Sequence, residues 1–126
     1  MPLKNNRISR AHFDRNNKRR SLVEAIAKKA FWSYQNIAPS KVPDGKLIEK
    51  VLIHGSDEQR KQLFALFPVD KIKRVWERRI IIQEPRLHNL NRKIALSFFH
   101  ISDPDDHIRR SYQKYNLYDQ FSAKNA

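Results

Sequence analysis

Lys71, Arg74 and Arg78 stand at i, i+3 and i+7 of an amphipathic stretch. On a helix they form one outward stripe opposite Ile72, Val75 and Trp76. A DNA-recognition helix needs this arrangement: an apolar face that holds it to a body, and long donors aimed at phosphates and base edges. Lys73 and Arg79 add positive charge to the same segment. Its outer face carries no Asn, Gln or Ser, so its chemistry is confined to phosphate or guanine contacts. A charged face that meets only solvent has the same pattern, and both readings stay open.

Groups suited to catalysis are present but not assembled. The histidines are His12, His54, His88, His100 and His107, and none forms an HExxH or His-x-His pair. Gly45 and Gly55 are the only glycines, which excludes a glycine-rich phosphate loop and a serine nucleophile elbow. The acidic run Asp103-Pro104-Asp105-Asp106-His107 reads as the start of a helix rather than a cation site. His100 reads as a surface or satisfied core residue. The expectation is a protein with no catalytic residues, no metal and no cofactor.

The elements that must position the basic stripe follow from composition and periodicity. With 126 residues and thirteen aromatics, the chain supports one modest core. Threonine is absent and no Val/Ile/Tyr alternation occurs, so strands are not expected and the fold class is all-α. The formal net charge of +13 points to a polyanionic partner, either nucleic acid or an acidic protein surface. Cysteine is absent, no apolar run approaches membrane-span length, and the opening residues lack the apolar core of a secretory signal. These features predict a cytoplasmic protein that does not span a membrane.

Along the chain, residues 1–20 read as a flexible basic arm. It is rich in Lys and Arg, includes Arg15, Lys18, Arg19 and Arg20, and is interrupted by Asn5-Asn6 and Asn16-Asn17. These four cations join Lys71, Lys73, Arg74, Arg78 and Arg79 as candidate nucleic-acid contacts. A helical domain spans residues 21–102. Ser21 and Glu24 form a capping box that opens helix 1, and Phe31-Trp32 at its end read as core rather than a base-stacking platform. Helix 2 covers residues 43–54 with Leu47, Ile48, Val51 and Leu52 buried, and Gly55 is expected to end it in a left-handed cap. Ser56 caps helix 3, Pro68 stops it, and Asp70 opens helix 4. The break at Phe67-Pro68-Val69 has helix-turn-helix length. Leu87, Leu90, Ile94, Phe98 and Ile101 then mark helix 5. Residues 103–126 form a Tyr-rich amphipathic segment opened by Asp103 and Pro104, in which Lys/Arg and Asp/Glu balance. A small bundle of five to six helices is expected.

Residues 31–101 resemble a small bacterial helical domain of unassigned function. The resemblance rests on Phe31-Trp32, the Ile48 to Gly55 helix, Leu63 to Phe67, Lys71 to Val75, and Leu90 to Phe99; Pro68 stands where that domain carries Gly. Such proteins are encoded beside nucleotidyltransferase toxins of the AbiEii type. The resemblance therefore implies an antitoxin that binds and neutralises its toxin and also binds operator DNA. The alternative is a free-standing DNA- or RNA-binding protein. The arm and the tail lie outside the resemblance. On the residues alone, Ile108, Tyr112, Tyr115, Tyr118 and Phe121 offer a face for a partner protein, or the helix that closes the bundle. The sequence leaves the oligomeric state open.

Overall fold

The computed structural model describes the backbone of residues 2–30 and 38–125, and the side chains of residues 14–29 and 38–116. All its elements are helices, as the missing strand signals predict. The six α-helices are α1 (Pro2–Ala30), α2 (Asp44–His54), α3 (Asp57–Leu66), α4 (Val69–Val75), α5 (His88–Ser97) and α6 (Pro104–Asn125). A short 3-10 turn spans Pro39–Lys41. No described helix is long and apolar enough to cross a membrane. The chain divides at Pro68 into two compact units, Met1–Pro68 and Val69–Ala126. The division falls within the break proposed between helices 3 and 4, so each helix belongs to a different unit.

In the first unit, Leu22, Val23, Ile26 and Ala27 of α1 are buried together with Leu47, Ile48, Val51 and Leu52 of α2 and Leu63 and Leu66 of α3. Here α1 departs from the expectation of an arm followed by a helix from Ser21. It is continuous from Pro2, so Ser21 lies in mid-helix and caps nothing. Asparagine weakens a helix by only a few tenths of a kcal/mol per residue, roughly, which side-chain anchoring overrides. That anchoring comes from the arm's own arginines. Arg15 donates to Leu66 O at 2.6 Å, satisfying an orphan carbonyl at the C-terminal end of α3. Arg19 donates to Asp44 Oδ1 at 2.9 Å, Pro39 O at 2.9 Å and Val42 O at 2.5 Å. Phe31, Trp32 and Tyr34 lie outside the described residues.

The corner between α2 and α3 is built as the sequence predicts at one residue and differently at another. Ser56 accepts from Gln59 N–H, and the Gln59 side chain accepts from Ser56 N–H, closing a capping box. Gly55, expected in a left-handed cap, has φ −75° and ψ 163° instead. Its value is space. A Cβ there would lie 2.5 Å from Val51 O and 3.1 Å from Val51 Cγ1. Gly55→Ala is therefore expected to lower stability by about 1–3 kcal/mol through overpacking, read as a lower urea midpoint at unchanged m-value. A variant as stable as the parent would show that the corner yields freely. Arg60, almost fully buried, fastens the same corner by donating to Leu52 O at 3.0 Å and Asp57 Oδ1 at 2.9 Å.

The second unit is organised around Trp76. After the seven residues of α4, the chain widens into a π-helical turn, Trp76–Ile80, in which Ile81 N–H returns to Trp76 O, and then tightens into a 3-10 turn, Ile81–Gln83. In a regular helix, Ile81 would point about 100° away from Ile80. The wider turn lets Trp76, Ile80 and Ile81 all be buried, with Ile72 one turn before them. Ile94 and Ala95 of α5 and Ile108 of α6 complete this core. Helix α5 stops at Ser97, short of the stripe drawn to Ile101. His100 takes a left-handed conformation (φ 52°), and Phe99 and Ile101 N–H groups turn back to the carbonyls of Ile94 and Ala95. Phe98 and Ile101 thus leave the helix, and Phe99 stacks on Trp76 with ring centroids 5.1 Å apart. Helix α6 opens as expected, with Asp103 Oδ1 accepting from Asp106 N–H.

Candidate functional site

Three features of the second unit bring cations together. Arg74 and Arg78 lie four residues apart, one in α4 and one in the π-helical turn, so they project toward the same side. α6 packs along that turn. It adds Lys114 and Tyr115, and the four residues line an open groove of about 400 Å³. Arg78 Cζ lies 5.5 Å and Lys114 Nζ 5.2 Å from the Tyr115 ring centroid. Arg74, Arg78 and Lys114 are all exposed, and none has a carboxylate partner among the described residues. Like charges lining one groove repel, and an anion there would relieve them. The ring's negative face is a favourable partner to two of the three.

The groove continues into a second recess lined by Glu77, His107, Arg110, Ser111, Lys114 and Tyr115. Here His107 Nε2 sits 2.7 Å from Glu77 Oε2, and its ring lies flat on Trp76 at 5.5 Å and 7°. Trp76 is thereby stacked on both His107 and Phe99. Its indole N–H donates to Asn91 Oδ1 at 3.0 Å, and Asn91 Nδ2 donates to Glu84 Oε2 at 2.8 Å. Glu84 Oε1 in turn lies 2.5 Å from His88 Nδ1. The buried Asn91 satisfies the one polar atom of Trp76 and ties α5 to the π-helical turn. This network fixes the position of the turn that carries Arg78.

No protein-family model matches the chain, and no curated protein or solved structure matches it.

Of the residues picked from sequence, Arg74 and Arg78 are brought together, and Tyr115 joins them. Lys71 and Lys73 are half-buried and Arg79 is exposed; none of the three lines the groove. In the first unit, Lys18 is exposed beside Asn17, Ser21 and Gln62, and Arg20 pairs with Glu24 at 3.2 Å on the surface. The guanidinium groups of Arg15 and Arg19 are engaged in holding α1 to α3 and to the Pro39–Asp44 segment, a structural role that the reading of a flexible arm did not foresee. Ile108, expected either to face a partner or to lie on the helix that closes the bundle, is 2% exposed and belongs to the core. Tyr112 is half-buried, and the side chains of Tyr118 and Phe121 lie outside the described residues. Lys114 escaped the sequence reading because the tail's charges balance, and net neutrality hides a lysine that folds against an arginine pair. Asn91 escaped it too, since a lone asparagine within a helical stripe reads as surface. Among the described residues, no group of His, Asp and Glu is arranged to hold a metal ion.

Proposed function

We propose that this chain is a nucleic-acid-binding protein that acts by binding and not by catalysis. The grouping of Arg74, Arg78 and Lys114 around Tyr115, without carboxylate partners among the described residues, carries this reading. Guanidinium and ammonium groups in one groove offer charge-assisted donors to phosphate oxygens. The excess of positive charge over the whole chain would draw a polyanion toward them. The resemblance of residues 31–101 adds a biological setting. The protein would serve in the bacterial cytoplasm as the antitoxin of a nucleotidyltransferase-type toxin. Nucleic-acid binding through this groove would then be a second activity beside toxin neutralisation. Tyr112, Tyr118 and Phe121 remain the candidates for the toxin-facing half.

The two halves separate experimentally. Purified protein is expected to raise the fluorescence anisotropy of a labelled oligonucleotide at low salt and to release it as salt rises. Absence of binding at about 50 mM salt would remove the nucleic-acid reading. Co-expression with the adjacent open reading frame is expected to give a stable complex with a nucleotidyltransferase. A neighbour of another kind, with no complex formed, would remove the antitoxin role and leave nucleic-acid binding standing.

A further inference from the structure

We infer that the groove takes an unpaired nucleotide, with its base stacked on Tyr115 and its phosphates held by Arg74, Arg78 and Lys114. The inference rests on the nucleic-acid reading above and narrows the ligand to single-stranded polynucleotide. The decisive observation is where the aromatic ring stands. Tyr115 is half-buried in the lining of the groove, with a cation from each of two helical segments against it.

A duplex cannot use such a ring. Its bases are stacked on one another and offer only their edges, which a protein reads by inserting a helix or ribbon into the major groove. Here the basic segment does not stand free for insertion. α6 packs along it, and Arg78 lies across a tyrosine of α6. Single strands are bound differently, by a positive groove that follows the backbone and aromatic rings that receive splayed bases. Arg74, Arg78, Lys114 and Tyr115 supply both parts within one groove.

The two cations on the ring also suggest the order of exchange. Arg78 and Lys114 rest against the π-face of Tyr115. An arriving phosphate offers a stronger, charge-assisted partner. As the cations turn to it, a face of the ring opens to the adjoining base. Arg and Lys on one ring therefore act as placeholders for the nucleotide.

The test uses the full chain and labelled oligouridine, oligodeoxythymidine and a mixed-sequence DNA duplex of equal length. Both single strands are expected to bind more tightly than the duplex at the same salt. Tyr115→Ala should weaken single-strand binding by roughly five- to a hundredfold and leave duplex binding unchanged. Tyr115→Phe, which keeps the ring, should bind within about twofold of the parent, since stacking uses the π-face. Tyr115→Leu preserves apolar bulk and decides the matter if the alanine variant loses its helical circular dichroism. Comparing the two single strands distinguishes RNA from DNA. Duplex binding as tight as single-strand binding would overturn the inference, as would a leucine variant that binds single strands like the parent. If binding then still depends on Arg74, Arg78 and Lys114, the broader nucleic-acid reading survives. If none of the three probes binds, both fall together.

Discussion

Trp76→Ala is expected to destabilise the second unit by about 3–5 kcal/mol, the range for removing a buried Trp or Phe side chain. The indole is fully buried, stacks on Phe99 and on His107, and donates its N–H to Asn91. Alanine removes the volume, both stacking partners and the donor at once. It also leaves Asn91 Oδ1 buried without its indole partner, and a buried acceptor left unpaired costs about 1–3 kcal/mol by itself. Small domains have only about 5–15 kcal/mol of stability in all, so a large share of the molecules should unfold under mild denaturant. Trp76→Phe separates the contributions. It retains an aromatic layer between Phe99 and His107 and loses the hydrogen bond, so its cost should be clearly smaller. Urea titration followed by circular dichroism reads both variants. Equal stability of the alanine variant and the parent would mean that the stack does not organise this unit.

The helices themselves are largely legible in the sequence. The buried stripe of α2, the capping box at Ser56, the stop before Pro68 and the opening of α6 at Asp103 all follow from local pattern. Features that depend on tertiary contacts are not. Arg19 reads as one more charge in a basic leader, and only the position of Pro39, Val42 and Asp44 shows what it bonds. The π-helical turn has no sequence signal either, because WERRI is compatible with an ordinary helix. It forms where burial of Ile80 and Ile81 together outweighs regular hydrogen bonding. Helix α5 ends early for a related reason. Phe99 gains a stack on Trp76 that continuation of the helical stripe would not give.

The candidate site divides in the same way. Sequence spacing identifies the Arg74 and Arg78 pair, since two residues four apart share a helix face whatever lies beyond. It cannot identify Lys114, nor place Tyr115 beside the pair, since both come from a segment distant in the chain and neutral in charge. The opposite error arises in residues 1–20, where net charge suggests several phosphate contacts and packing takes up two of the arginines. Total charge therefore overstates the unengaged cations in one unit and conceals one of the groove cations in the other. What matters for binding is which cations lack a carboxylate or carbonyl partner.

The salt dependence of binding tests the central claim most directly. Arg74, Arg78 and Lys114 should be changed together to alanine. All three are exposed and none has a carboxylate partner among the described residues, so the fold should survive with parental circular dichroism. Each phosphate contact contributes about 0.7 to the slope of log affinity against log salt on a single strand, and about 0.9 on a duplex. Three lost contacts should flatten the single-strand slope by about 2. Between about 50 and 200 mM salt the parent should lose roughly twentyfold more affinity than the variant. Lys28→Ala with Lys61→Ala, two exposed lysines of the first unit outside the candidate contacts, serves as the control and should leave the slope nearly unchanged. A folded triple variant with the parental slope and affinity would contradict the account and move the binding surface elsewhere.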